Sequence, residues 1–309
     1  MNNSNLSYCG VDVSKKKLDI NFKSKLSSYD NTVKGIEKLS KEIKNAHFIF
    51  ESTGGYERMA AWTLMSKGFK VSIVNPKRIR DYARAMGILA KTDKLDAEVI
   101  VKYAITANPR ETPLPSEDYR HFCAIMDRRH QLKKMKIAER NRLGTCGDPF
   151  MRKSINNSLD YLNNEIIVLE KEMKDIIKND DEMKRKEQIM QIVCGIGTIS
   201  AANILAYLPE IGTLNKKEVA ALLGVAPYNR DSGPQKGKRH IYGGRAKLRS
   251  ELYMATISAT TYNPHLRAFY FHLRNDNNCP KKVARIAVLR KMIIAVNSLL
   301  KNSDFELAS

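Results

Sequence analysis

The sequence predicts a mixed α/β domain at the N-terminus and an all-α remainder. Three observations carry this reading. Short apolar runs alternate with helical stretches through the first hundred residues. The proline-rich segment NPRETPLPSED (Asn108–Asp118) then breaks the pattern, and the rest of the chain is patterned almost wholly as helix.

LSYCGVDV (Leu6–Val13) has the character of a buried strand, and LDINFK comes after the polar link SKKK, so the pair is expected to form a hairpin. A helix is expected over Val33–Lys44, a strand over HFIFE (His47–Glu51), and a helix over YERMAAWTLMSKG with glycine as its stop. KVSIV forms a further strand ended by Asn75-Pro76, and helices dominate from Lys77 to Ala107. That order suits one mixed sheet with helices packed on it.

Two long helices are expected next, over about Tyr119–Leu143 and beyond the break at Gly147-Asp148-Pro149. In the second, Ile155, Leu159, Leu162, Ile166, Leu169, Met173 and Ile176 alternate spacings of four and three. Such an a/d seam serves a helical hairpin within one chain or a coiled coil between two. The charged run KNDDEMKRKE closes this middle region, giving expected domains at 1–115, 116–185 and 186–309. In the last, IVCGIGTISAANILAYL (Ile192–Leu208) opens on a Gly-Ile-Gly turn of a kind that meets phosphates, although an ordinary helix start explains it better. The final helix is expected to turn Arg285 and Lys291 outward.

The chain has 309 residues, with 53 Lys and Arg against 33 Asp and Glu, a net charge of +20. From Ala226 to Lys301 there are 15 basic and 3 acidic residues, so a quarter of the chain holds more than half of the excess. A segment so short of acids indicates a surface that faces nucleic acid. No apolar run approaches the roughly 18 residues of a spanning helix. MNNSNLSYCG lacks the regions of a signal peptide, so a cytoplasmic protein is expected, with no membrane partner. The five cysteines have no C-x-x-C spacing and the six histidines no ligand spacing, which argues against zinc and against a disulfide framework. No P-loop pattern is present, so a nucleotide-driven motor is not indicated.

The carboxylates are more informative. Asp12 ends the first strand and Glu51 ends HFIFE, where a carboxylate closing a buried strand needs a cation. Asp93 and Asp96, three apart at a helix start, can share one face, although helix capping would also explain them. Strand ends on one sheet edge can bring Asp12 and Glu51 together, and a later helix can lay Asp93 and Asp96 across them. Four carboxylates then suit two magnesium ions, with manganese able to substitute, held roughly 3.5–4 Å apart to act on both oxygens of a phosphodiester exchange.

Four segments, GVDVSKKKLDI, FESTGGYE, NPKRIRDYARAMGILAKTDKLDAEVI and LLGVAPYNRDSGPQKGKRHIYGGRAKLRSELYMATISATTYNPHLRAFY, resemble the DEDD transposases of the insertion sequence 110 family. The resemblance covers nearly the whole chain. It implies an N-terminal RuvC-like (RNase H fold) domain, a coiled-coil middle and a helical C-terminal transposase domain. It implies that Asp12, Glu51, Asp93 and Asp96 bind metal, and that Ser232, in Asp-Ser-Gly, is a nucleophile forming a covalent phosphoserine link to DNA. It further implies donor and target DNA as substrates, a structured bridge RNA as guide, a homodimer assembling to a tetramer, and a place at the nucleoid of a prokaryotic cytoplasm. Lys236, Lys238, Arg239, Arg245, Lys247 and Arg249 would hold the phosphates of DNA or guide RNA. Asp231 and His240 are candidate bases for Ser232 only by proximity, and the metal site lies in the other domain, so a composite site is expected. The alternatives are a RuvC-like nuclease using water, a DNA invertase of the same family, and a non-catalytic nucleic-acid-binding protein whose acids are structural.

Overall fold

The structure, a computed structural model, describes residues 7–88, 93–228 and 239–302, and the side chains of 93–95 are outside the description. It divides into two compact units, Met1–Pro115 and Ser116–Ser309.

The first unit has the order β1 (Ser7–Val13), β2 (Lys17–Phe22), β3 (Lys25–Asp30), α1 (Val33–Glu42), β4 (Ala46–Glu51), α2 (Glu57–Ser66), β5 (Lys70–Val74), α3 (Pro76–Ala85) and α4 (Asp93–Ala107). The sheet order is β3-β2-β1-β4-β5. β1 pairs antiparallel with β2 and parallel with β4, and β4 pairs parallel with β5. Three antiparallel strands succeeded by two parallel ones, with helices on both faces, is the expected RNase H/RuvC-like arrangement.

Alternation along the strands sorts the two faces. Val11, Leu18, Ile20, Phe48 and Phe50 are fully buried in one core with Ile36 and Leu39 of α1 and Leu64 of α2. Ile49 and Val74 face the other way, toward Ile79 of α3 and Val99, Ile100 and Tyr103 of α4. The helix starts obey capping chemistry. Thr32 accepts from the Gly35 amide, and Asn75 accepts from the Lys77 amide with Pro76 at the first helical position.

The second unit is helical: α5 (Glu117–Thr145), α6 (Pro149–Asn179), α7 (Asp181–Gln191), α8 (Thr198–Tyr207), α9 (Lys216–Leu223), the short paired strands β6 (Pro227–Tyr228) and β7 (His240–Ile241), α10 (Ala246–Tyr253), α11 (Ala255–Tyr262), α12 (Pro264–Phe271), one π-helical turn (His272–Asp276) and α13 (Lys281–Lys301). Ser116, Asp148 and Asp180 cap α5, α6 and α7 through their side chains. Asn215 and Glu218 form a reciprocal capping box on α9, which ends on Gly224 at φ 75°.

The a/d seam is used within the chain. α5 and α6 pack as a hairpin, with Leu132, Leu159 and Leu162 buried and Arg129 donating to Glu170 at 2.8 Å. Phe122, Ile125 and Met126 of α5 and Met173 and Ile177 of α6 enter the same core as α8, α9 and α13. The Gly-Ile-Gly turn serves packing: Gly195 has φ +94°, and a Cβ there would lie 2.9 Å from the Ala259 backbone nitrogen. Arg285 corrects an expectation. Instead of facing outward it is partly buried, donates to the Thr256 carbonyl at 2.8 Å and lies over the Tyr270 ring.

Candidate active site

The β1–β4 ladder pairs Val11 with Phe50. Asp12 and Glu51 are each the next residue, so they end neighbouring parallel strands side by side. Because Val11 and Phe50 point into the α1–α2 core, alternation turns Asp12 and Glu51 to the α4 face. Both are partly buried. The antiparallel ladder places Asp19 of β2 directly opposite Asp12, on that same face.

α4 is set against this face by a glycine. A Cβ on Gly10 would overlap the Ala97 carbonyl oxygen and come within 2.9 Å of Val101 Cγ2, so only glycine lets the helix approach this closely. At the other end of the contact, Tyr8 donates to Asn108 Oδ1 at 2.7 Å. β1 and α4 therefore run in opposite senses, and the start of α4, with Asp93 and Asp96, lies toward the strand end that carries Asp12. Asp96 is partly buried. Asp93 is the first residue of α4 and its side chain is outside the description. Among the described residues, no three His, Cys, Asp or Glu side chains already converge as a metal-binding group.

The loops beyond the two strands are tied down by residues that sequence reasoning missed. Glu57, only 4 % exposed, accepts from the Gly55 amide at 2.8 Å, the Thr53 amide at 3.1 Å and the Thr53 hydroxyl at 3.0 Å. Burial alone would raise its pKa; the hydrogen bonds from its own amide, Gly55 and Thr53 outweigh this and hold the carboxyl below its usual value. The loop it grips starts directly after Glu51 and contains Gly54 and Gly55 at φ 79° and 123°, a conformation open to glycine. Asn31, nearly buried, donates from Nδ2 to the Ser14 carbonyl at 3.0 Å and the Tyr56 carbonyl at 3.1 Å, joining the loop after β1 to the loop after β4. The sequence signal for Glu57 was its place in FESTGGYE; Asn31 and Asp19 had none short of the register.

Ser232, Lys236 and Lys238 lie outside the described residues, in the segment that joins β6 to β7. Arg239 is described and exposed. Arg245, Lys247 and Arg249 direct their donors into the protein. Arg245 makes a two-pronged pair with Glu210 at 2.7 and 2.6 Å. Lys247 pairs with Asp127 and sits 4.2 Å over the Tyr207 ring, while Tyr207 itself donates to Asp127 at 3.0 Å. Arg249 donates to the carbonyls of Leu223 and Gly243. Nearby, Glu251 is held by His130 and Lys133, each at 2.9 Å. Burial raises its pKa, and these two partners bring it below the usual carboxylate range.

Comparison with known proteins agrees with this architecture. A DEDD-type transposase family model of the IS110 group matches residues 9–146, and the model described as Transposase IS116/IS110/IS902 family matches residues 187–271. The chain belongs to the IS110 transposase family. Membership makes it a DNA-cutting enzyme of the transposase and recombinase class. The first match takes in Asp12, Glu51, Asp93 and Asp96, and the second takes in Ser232. Pilin gene-inverting proteins from Moraxella lacunata and Moraxella bovis are each 27 % identical over 316 residues, covering 97 % of this chain and 97 % of the relative. Among the described residues, no helix is long and apolar enough to cross a membrane.

Proposed function

We propose that this IS110-family chain cuts and rejoins DNA at a two-metal carboxylate site with Ser232 as the nucleophile. The observation that supports this most is the placement of Asp12 beside Glu51 and opposite Asp19, with the start of α4 set against the same face. Carboxylates gathered in this way repel one another and favour a shared cation. An oxygen-only donor set fits magnesium or manganese. Asp12, Glu51, Asp93 and Asp96 would hold the ions, and when bound the ions offset charge on the attacking and leaving oxygens of a phosphodiester.

The serine chemistry is a pair of exchanges. Ser232 Oγ gives up its proton and forms a bond to the scissile phosphorus as the bond to the leaving strand breaks, and the departing oxygen takes up a proton to become a hydroxyl. Attack by a strand hydroxyl on the phosphoserine reverses the bonds and releases the serine. Because the phosphodiester energy is held in the serine link, no high-energy cofactor is consumed.

Donor and target DNA are the substrates in this reading, and a structured bridge RNA is the guide. The excess of 20 positive charges supports a polyanionic partner, while RNA guidance rests on family resemblance. Lys236, Lys238 and Arg239 are the basic-loop residues proposed to meet phosphates. Assembly as a homodimer and then a tetramer rests on family resemblance, and exposed apolar side chains on α6, among them Tyr161, Ile167 and Val168, are available for contacts between copies. The names of the two Moraxella relatives favour a second outcome of the same chemistry, inversion of a DNA segment.

The test is a recombination assay. Supercoiled plasmid carrying the element junction and a target site is incubated with the protein, its co-expressed flanking RNA and magnesium, and new junctions are amplified. Rearranged junctions that vanish with Ser232→Ala and with Asp12→Asn are expected. Nicked plasmid without rearrangement, unchanged by Ser232→Ala, supports the water-using nuclease instead.

A further inference from the structure

β6 and β7 lie against α13, and between them is a cavity of about 470 Å³. Its walls are apolar: Val225, Pro227 and Ile241 from the β6–β7 side and Val283 and Ile286 from α13. Three cations, Arg239, Lys282 and Arg290, line it as well, and among the described residues no carboxylate does. A second cavity of about 670 Å³ shares Ile241, Lys282 and Ile286 with the first and adds the exposed Lys134 of α5, together with Lys133 and His130 held on Glu251. The segment containing Ser232 leaves β6 at Tyr228 and returns to β7 at His240, and both strands contribute to the wall of the smaller cavity.

The combination of walls and charges restricts the occupant. A phosphate groove needs cations but has no use for apolar walls. An apolar peptide would use the walls and leave three cations unmatched by any carboxylate among the described lining residues. An unpaired nucleotide satisfies both, with its base against Val283, Ile286 and Ile241 and its flanking phosphates on the cations. A base held in a duplex stack presents only its edge and cannot enter. The volume lies within the range of about 300–1,000 Å³ found for small-molecule sites.

We propose that this cavity receives one unpaired DNA nucleotide, drawn from the strand being exchanged, with the next phosphate along the strand carried by Lys134 in the adjoining cavity. The proposal rests on the recombinase reading. It assigns the α13 face the task of holding a strand open, separate from the carboxylates that act on the phosphodiester.

The test is a binding comparison with the full-length protein by fluorescence anisotropy. The probes are a fully paired DNA hairpin, the same hairpin with one bulged nucleotide, and the bulged hairpin with an abasic site at the bulge. The bulged probe is expected to bind about tenfold more tightly than the other two. Ala287→Phe, which fills the cavity, and Val283→Gln, at a position already 53 % exposed and so tolerant of the change, are each expected to remove that advantage while paired-hairpin affinity stays the same. Equal affinity of the wild type for all three DNA probes overturns the cavity assignment and leaves the recombinase reading standing. The paired and bulged hairpins are also made as RNA, and a bulge advantage with RNA but not with DNA overturns the assignment to DNA. Failure to bind any of the nucleic acids contradicts both readings.

Discussion

Gly10 and Ala97 meet backbone to backbone: the absence of a side chain on β1 lets the Ala97 carbonyl of α4 rest on the strand two residues before Asp12. This contact decides where α4 begins relative to the strand ends. Gly10→Ala is expected to force the helix away, costing about 1–3 kcal/mol as overpacking does. Urea unfolding of the variant measures the loss. Because Asp93 and Asp96 start the same helix, strand cleavage is expected to fall more steeply than stability at temperatures where the variant stays folded.

Glu57 supplies a pH dependence. Its folded pKa lies below its usual value, so its stabilising contribution is complete above about pH 4.3, the ordinary glutamate pKa. The contribution fades as pH falls through the depressed folded value. Glu57→Gln is therefore expected to lower stability at pH 7 by about 1.5–3 kcal/mol, the range for hydrogen bonds to a charged group. Its stability should fall less than that of the wild type between pH 5 and pH 3. Thermal melts of both proteins across that range test the sign.

Asp12 and Asp19 face each other across the β1–β2 ladder, with Glu51 one strand away. Like charges so placed destabilise a sheet. Adding magnesium or manganese is expected to raise the melting temperature of the wild type, since an ion that binds only the folded state stabilises it. The melting temperature of Asp12→Asn is expected to respond less to that addition. Differential scanning fluorimetry with and without chelator reads the response of both proteins.

Salt dependence separates the basic residues. Arg245, held on Glu210, is expected to matter for stability, and Arg245→Gln should leave the salt slope of DNA binding near the wild-type value. Arg239→Gln is expected to reduce that slope by about one, as removal of a phosphate contact does. Binding isotherms at several salt concentrations distinguish the two variants.

Much of the first unit was legible because burial on a sheet leaves a period-two or all-apolar record. CGVDV, LDINF, HFIFE and KVSIV each carry it. β3, KLSSYD, does not: it is an edge strand in which only Tyr29 is buried, so its polar residues leave no apolar pattern. Its turn was hidden as well, because Lys23 and Ser24 take φ of 51° and 62° without the Asn-Gly signature of such hairpins. The seam in α6 was visible, but periodicity records only that a face is covered; α5 of the same chain covers it. The basic run was visible too, but the partners of Arg245 and Lys247, Glu210 and Asp127, lie 35 and 120 residues away. Charge in a sequence does not show which cations already have a carboxylate. The side-by-side placement of Asp12 and Glu51 could be read from sequence because strand ends are a local feature, whereas Asp19 and Asn31 depend on register and tertiary contact.

If Ser232 is the nucleophile at the carboxylate site, DNA becomes attached to the protein during cleavage. The most direct measurement is a covalent-adduct assay: protein with its flanking RNA, supercoiled DNA carrying the junction, and magnesium, then denaturation and detection of DNA attached to protein. The account predicts an adduct that is lost with chelator, with Asp12→Ala and with Ser232→Ala. Cleaved DNA with no adduct, retained in Ser232→Ala and lost in Asp12→Ala, would contradict it and make water the nucleophile.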